Sequence, residues 1–232
     1  MYQKYIKRLL DILCSLAALT FFCWLYAAIA ILVRVKLGSP VIFTQVRPGM
    51  KDKLGKEKLF KLYKFRTMTD EKDENGNFLS DEVRLTKFGS WLRSTSLDEL
   101  PEAINILKGD MSVIGPRPQL VRDMVFMSEE QRKRHNVKPG LSGLAQVRGR
   151  NAISWEDKLK TDLEYINHIS FFGDIKIVFE TIAKFLKRAD ITQEGMATAE
   201  DFGDYLVRVG KVSTTEYKSK QQEAISIIGE TK

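Results

Sequence analysis

Residues 12–33 read ILCSLAALTFFCWLYAAIAILV, twenty-two positions without a charged side chain. At a helical rise of about 1.5 Å per residue such a run reaches about 33 Å, enough for the hydrocarbon core of a bilayer. A helix buried in a soluble core rarely stays uncharged for so long. Ala28-Ile29-Ala30 resembles a signal-peptide cleavage site, but the apolar run continues beyond it. Both flanks are basic: Lys4, Lys7 and Arg8 come before, Arg34 and Lys36 after. Basic flanks favour the cytoplasmic side, so the pattern fits a helix that enters and returns on one face. A returning helix needs a break, normally a proline, and this run has neither proline nor glycine. A re-entrant and a spanning topology therefore both stay open. Asp11, three residues after Arg8, is spaced for a salt bridge at the helix boundary.

Beyond this segment the chain changes character. Its 232 residues are 44% hydrophobic and 29% charged, the balance of a globular domain long enough to bury a core. A net charge of +7 favours acidic partners: nucleic acid, anionic lipid or a phosphorylated small molecule. Both cysteines, Cys14 and Cys23, lie in the apolar run. A disulfide framework or zinc site elsewhere is thereby excluded, and a reducing compartment suits the chain.

Gly38-Ser39-Pro40 ends the helix. Val41-Ile42-Phe43 and Leu59 to Phe65 are strand candidates, with a turn expected at Pro48-Gly49. Residues 70–81 read as a polar surface loop turning at Asn75-Gly76. Helices are predicted over 88–93, over 97–107 with a stop at Gly109, over 129–135 as a short exposed piece, and over 155–167 and 174–186. Residues 138–151 read as a glycine-rich loop. The expected class is α/β in the broad sense (α+β), mostly helical with a few short strands, plus an N-terminal membrane-inserted helix. The regions are a membrane helix over 1–37, a cytoplasmic domain over 38–200 and a polar C-terminal tail over 201–232.

Ser96-Leu97-Asp98-Glu99-Leu100-Pro101 carries the sharpest chemical signal. Ser96 and Glu99 have capping-box spacing, and Pro101 suits a first helical turn. Both cues put Asp98 and Glu99 at a helix N-terminus, where the dipole keeps a carboxylate ionised and able to act as a nucleophile. Alone, such acids are more often simple caps. Ile114-Gly115-Pro116-Arg117-Pro118 confines one arginine between two prolines. Its fork suits phosphate oxygens and has little entropy left to lose; a solvated arginine on a rigid turn is the plainer reading. Lys64-Phe65-Arg66-Thr67-Met68 puts two cations at a strand end, or on an exposed edge strand. The segment from Lys138 to Arg150, with Arg148, pairs cations with glycines that let backbone amides approach an anion. It is neither a Walker loop nor a dinucleotide fingerprint. His135 and His168 lack partners at ligand spacing and read as structural or exposed.

The blocks Lys7-Arg8-Leu9-Leu10-Asp11, Lys64 to Met68, Arg93 to Pro101, Gly109 to Pro118 and Lys138 to Asn151 continue to Asp162, Tyr165, Ser170 and Asp174. In this order they resemble the bacterial sugar transferase family, the monotopic phosphoglycosyl transferases, over about residues 4–202. The chain looks most like the short members, which typically act on UDP-linked N-acetylated amino sugars. The resemblance implies an enzyme of the cytoplasmic (inner) membrane with its catalytic domain on the cytoplasmic face. It would move a sugar-1-phosphate from a UDP-sugar to undecaprenyl or another polyprenol phosphate, releasing UMP, as the first membrane step of glycoconjugate assembly.

By resemblance, Asp98 attacks the β-phosphate to give an aspartyl-phosphosugar intermediate. Glu99 shares Mg²⁺ with Asp98 or accepts a proton. Arg93, Arg117, Lys64 and Arg148 bind substrate phosphates, and Asp162 and Asp174 match supporting positions. The implied partners are the UDP-sugar, polyprenol phosphate, membrane lipid and later glycosyltransferases, with no nucleic acid. One departure stands out: where the family's membrane helix usually carries Ser-Pro, this chain has Cys23-Trp24. Two other classes fit parts of the pattern. A lipid-phosphate hydrolase would need no polyprenol acceptor. A basic, membrane-tethered binding module would turn nothing over and depend strongly on salt.

Overall fold

The computed structural model describes residues 1–149, 153–187 and 200–229. A π-helical turn, Tyr2–Ile6, leads into α1 (Lys7–Phe21), and α2 (Cys23–Leu37) follows after a single residue. The apolar run is thus broken without a proline. Phe22, at φ −104° and ψ 15°, leaves the helical region, and the two segments are bent by 65°. In the turn before the break the Thr20 hydroxyl donates to the carbonyls of Leu16 and Ala17, a pattern that bends helices. Among the described residues no single helix is long and apolar enough to cross a membrane; the bent pair passes only together, by length and composition.

Each helix has two faces. On α2, Ile29, Val33 and Leu37 pack with Phe65 and Leu92, while Trp24, Ile31 and Val35 are exposed. On α1, Leu9, Leu13 and Leu16 are exposed, and Asp11 and Ser15 are buried. The expected Arg8–Asp11 bridge gives way to two separate anchors. Asp11 Oδ1 accepts from Ser112 Oγ at 2.9 Å and from the Val113 amide at 2.8 Å. Arg8 donates to the carbonyls of Ile106 and Leu107 at 2.6 and 2.8 Å. A buried carboxylate needs such partners, and the last carbonyls of a helix need donors, so each residue serves a neighbour better than it would serve the other.

β1 (Ile42–Lys51) and β2 (Glu57–Phe65) form an antiparallel hairpin, with Ile42 opposite Phe65 and Pro48 opposite Leu59. The strand runs through Pro48-Gly49, where a turn was expected, and absorbs it as an irregularity between Pro48 and Lys51; bulges tolerate proline. The turn lies at residues 52–56, where Asp52 accepts from the amides of Leu54 and Lys56. Residues 71–78 are exposed, with Gly76 at φ +81°. α3 (Asp81–Arg84) precedes α4 (Lys87–Ser94), which Thr86 caps.

The helix expected over 97–107 is split at Pro101 into a 3₁₀ turn (Leu97–Glu99) and α5 (Glu102–Lys108), which stops at Gly109. β3 (Ser112–Ile114) pairs in parallel with β4 (Gly140–Ser142). α6 (Val121–Met124) and a 3₁₀ segment (Gln131–Asn136) lie between them. That segment is not the exposed helix expected: Arg134 and His135 are buried, drawn in by Asp162 and Glu57. The expected glycine loop contains β4 and α7 (Leu144–Arg148); Arg150 and Asn151 lie outside the described residues. α8 (Trp155–Asn167) and α9 (Phe171–Lys187) follow.

Where a polar tail was expected, α10 (Phe202–Arg208) and α11 (Thr214–Gly229) form. Phe202 packs on Trp155 at 5.0 Å between ring centroids, and Ala224 is buried with Val121 and Met124. The fold is α+β: mostly helical, with two two-stranded sheets among the described residues.

Candidate active site

The turn that carries Asp98 begins strained. Ser96 is the one non-glycine residue among those described with positive φ, at 50°, a conformation that costs energy and clusters at functional sites. Its side chain makes no capping bond, so the capping box does not form. Glu99 turns instead to two cations. Arg117 Nη2 is 2.5 Å from Glu99 Oε1, and Lys64 Nζ is 2.7 Å from the same oxygen. Lys64 also lies 3.2 Å from Glu102 Oε1.

The three carboxylates are thereby driven apart. Burial would raise Glu99, but the charges of Arg117 and Lys64 outweigh it and hold its carboxyl well below the usual range. Asp98, only 7% exposed, is pushed up to about 6 by burial and then by the charge of Glu99, against the pull of Lys64, Arg93 and Arg117. Glu102 is pushed up to about 7, again by burial first. Burial would lower Lys64, but Glu99 and Glu102 raise it, so it stays a cation. The dipole of α5 has little part in this: Asp98 sits in the 3₁₀ turn ahead of Pro101, and the surrounding charges set its ionisation.

Each element positions one group. β2 ends with Lys64. Asn105, buried in α5, accepts from the Tyr63 amide at 3.0 Å and donates to the Lys61 carbonyl at 2.8 Å, fixing α5 against β2. Arg117 follows β3 through Gly115, where a Cβ would come 2.5 Å from the Lys138 carbonyl oxygen, so only glycine fits. Arg134 donates to the Arg117 carbonyl at 2.7 Å and is itself held by Asp162 at 2.6 Å. Arg47 donates to the Pro118 carbonyl at 3.1 Å. The loop backbone is thus pinned on both sides while the Arg117 side chain stays 42% exposed. From α2, Tyr26 donates to the Leu100 carbonyl at 2.7 Å, and Leu97 and Leu100 pack on the α2 cluster.

Of the residues expected at the site, Asp98, Glu99, Lys64 and Arg117 come together. Arg93 joins them by its charge on Asp98 and donates to Thr67 Oγ1 at 3.1 Å. Asp162 stands behind Arg117. Asp174 is elsewhere, gathering Tyr2, Lys7 and Tyr165 around the start of the chain. Arg148 pairs with Glu164 on the surface. Arg66, the neighbour of Lys64, turns away to the Ser39 carbonyl and Asp70. Glu102, Arg134 and Arg47 were not anticipated. For Glu102 a signal existed, since it lies three positions after Glu99, about one turn on.

Among the described residues, no group of three or more His, Cys, Asp or Glu side chains could hold a metal ion by itself. Mg²⁺ seldom needs such a cage, because it takes one or two carboxylates and completes its shell with substrate phosphates and water. Lys64 and Arg117 give their hydrogen bonds to Glu99 and none to Asp98. That leaves the Asp98 carboxylate as a hard oxygen donor of the kind such an ion takes.

Residues 2–188 match the family model described as bacterial sugar transferase. The uncharacterized sugar transferase EpsL of Bacillus subtilis (strain 168) is 49% identical over 197 residues, covering 85% of this chain and 95% of that protein. A UDP-glucose:undecaprenyl-phosphate glucose-1-phosphate transferase of Klebsiella pneumoniae is 40% identical over 77% of this chain but only 39% of its own length. A UDP-N-acetylgalactosamine-undecaprenyl-phosphate N-acetylgalactosaminephosphotransferase of Aeromonas hydrophila is 38% identical over 78% of this chain and 44% of its own. The chain therefore spans less than half of these two relatives and nearly all of the first. With that match running from the first helix through α9, the chain belongs to the bacterial sugar transferase family.

Proposed function

We propose that this protein transfers a sugar-1-phosphate from a UDP-sugar to undecaprenyl phosphate, with Asp98 as the covalent carrier. The observation that carries the reading is the division of labour between adjacent carboxylates: Glu99 is neutralised by Lys64 and Arg117, while Asp98 takes neither bond. A pKa near 6 leaves Asp98 ionised at neutral pH yet more basic than an ordinary carboxylate, as a nucleophile should be. The names of the Klebsiella and Aeromonas relatives support the same donor and acceptor classes.

In the first step an Asp98 oxygen attacks the β-phosphorus. The bond to the bridging oxygen breaks, and its electron pair leaves with UMP. In the second, a phosphate oxygen of undecaprenyl phosphate attacks that phosphorus, and the bond to Asp98 breaks to restore the carboxylate. Arg117, with its backbone pinned and its side chain part-exposed beside Glu99, binds charge on the phosphates. Arg93 and Lys64 keep the site cationic, and Glu99 orders both Lys64 and Arg117. Mg²⁺, which Asp98 and Glu99 would hold, neutralises diphosphate charge when bound.

The membrane supplies the acceptor. The uncharged part of each helix of the bent pair, residues 12–21 and 23–33, reaches only about 15–17 Å, short of a bilayer core of about 30 Å. With a 65° bend and basic residues at both ends, the pair suits a re-entrant wedge whose ends both face the cytoplasm, where UDP-sugars are. α9 also exposes Phe172, Phe179 and Ile182 and begins at the foot of α1, where Phe171 meets Tyr2 with ring centroids 5.8 Å apart.

The test incubates the purified full chain with undecaprenyl phosphate, Mg²⁺ and a panel of UDP-sugars, and measures UMP. Without acceptor, UMP should appear once per enzyme; with acceptor it should turn over and yield a lipid-linked diphosphosugar. Steady release of free sugar phosphate without acceptor would make the protein a hydrolase.

A further inference from the structure

Away from the carboxylates, a cleft of about 390 Å³ opens at the foot of α1. Its walls include Ile114 and Ile169, and its rim carries Lys4, Lys7, Arg8 and Lys138. It lies at the far end of α5 from Glu102, since Arg8 holds the carbonyls of Ile106 and Leu107. Seven residues of helix, about 10 Å, separate the two ends. This is not the Asp98 site.

The cations differ in what they have left to give. Lys7 is bound to Asp174, and Arg8 to the helix carbonyls. Lys4 is exposed and rests over the Tyr5 ring. Lys138 is part-buried, and its Nζ and the Arg8 guanidinium both border Gly109 at the end of α5. A Cβ on Gly109 would lie 3.3 Å from Lys138 Nζ and 3.4 Å from Arg8 Nη2. Burial, and then the charge of Arg8, lower the Lys138 pKa, with Asp11 and Asp110 opposing more weakly. Asp11 already spends its carboxylate on Ser112 and Val113. The helix end accounts for one cation. It does not account for a basic rim around an apolar cleft. The rim also sits at a particular depth: up α1 from Lys4 the outward residues Leu9, Leu13 and Leu16 are apolar, so the mouth lies where the helix would leave lipid.

We propose that this cleft binds the phosphate headgroup of an anionic membrane phospholipid, with Lys138 and Lys4 meeting the phosphate and the Ile114–Ile169 wall taking the carbons next to it. Basic pockets at the cytoplasmic end of membrane helices take such headgroups. The inference rests on the membrane placement under Proposed function and adds a lipid specificity to it.

The test measures partition of the purified full chain into phosphatidylcholine vesicles and into vesicles with about a third phosphatidylglycerol, where the wild type should favour the anionic ones about tenfold. Lys138→Glu should lose most of that preference and Lys138→Gln part of it, both with unchanged circular dichroism. Lys218→Glu, the same charge change on exposed α11, should keep it. Failure to bind either vesicle would remove the membrane placement itself. Equal binding to both, or equal loss in the Lys138 and Lys218 variants, overturns the cleft and leaves the placement intact. Two further arms replace phosphatidylglycerol with undecaprenyl phosphate and add inorganic phosphate as competitor. If Lys138→Glu affects only the polyprenol arm, or if inorganic phosphate displaces the protein from anionic vesicles, the cleft serves the acceptor or a free anion, and the phospholipid assignment is wrong.

Discussion

Arg134 and Asp162 hold each other out of water: Nη2 lies 2.6 Å from Oδ2, and the side chains are 1% and 4% exposed. The same guanidinium reaches the Arg117 carbonyl. Removing one member of a buried pair strands the other charge, at a cost of about 3–5 kcal/mol. Asp162→Ala should therefore melt much lower. At temperatures where it stays folded it should also bind UDP-sugar more weakly, because the Arg117 loop has lost a support. Melting curves and steady-state kinetics check the two parts. Normal kinetics in the folded fraction would confine the pair to stability.

Asp98→Asn should lower turnover by about 10³-fold or more, as loss of a covalent nucleophile does, and should also stabilise the protein. The folded pKa of Asp98 is raised to about 6, so its contribution to stability is fully present below the unfolded carboxylate value and is lost as pH rises through about 6. At pH 7.5 the ionised side chain is a burden that Asn lacks, worth on the order of 1–3 kcal/mol. Melting at pH 7.5 should rise by a few degrees, and the gain should vanish near pH 4. A variant that is both active and no more stable would contradict the assignment.

The pH profile of kcat/KM for the UDP-sugar should fall about tenfold per unit below about pH 6, as Asp98 takes up its proton. Glu99, held low by Arg117 and Lys64, stays charged through that window and adds no second inflection. A profile flat down to pH 5 would show that the reacting group is not Asp98.

Arg117→Ala should lose one to two orders of magnitude in kcat/KM, matching a charge-assisted contact of about 1.5–3 kcal/mol. Arg117→Lys keeps the charge and loses the fork, and should recover only part. Stability should change little, because the side chain is 42% exposed and Lys64 still neutralises Glu99. A large drop in melting temperature with normal activity in the surviving fold would make the arginine structural.

Single cysteines placed before Lys4 and after Lys36, in a background without Cys14 and Cys23, should both resist an impermeant reagent in intact cells. Both should react once the cells are opened. Labelling of the first site from outside would mean that the bent pair spans the membrane.

Much of the site could be read from residue order because its parts are local. Asp98 and Glu99 are adjacent, Lys64 lies near the end of a strand whose alternation is visible, and two prolines announce Arg117. α8 and α9 follow their apolar periodicity closely. What could not be read depends on partners distant in sequence. Arg134 looks like part of an exposed basic helix until Asp162, 28 positions on, draws it inside. Pro48-Gly49 reads as a turn until β2 pairs across it. Arg8 and Asp11 have the spacing of a pair, but α5 and β3 offer each a better partner. The bend at Phe22 has no proline to mark it, and Arg148 looked available for phosphate until Glu164 claimed it.

α2 is a wall of the domain as well as one half of the bent apolar pair. Ile29, Val33 and Leu37 close over Phe65 and Leu92, and Tyr26 steadies the turn that carries Asp98. Trimming the chain at residue 38 would therefore strip the lid from a hydrophobic interior and release the support of the turn that carries Asp98. A useful preparation keeps both helices and offers detergent or a lipid disc to the outward side, where Trp24, Ile31 and Val35 are exposed.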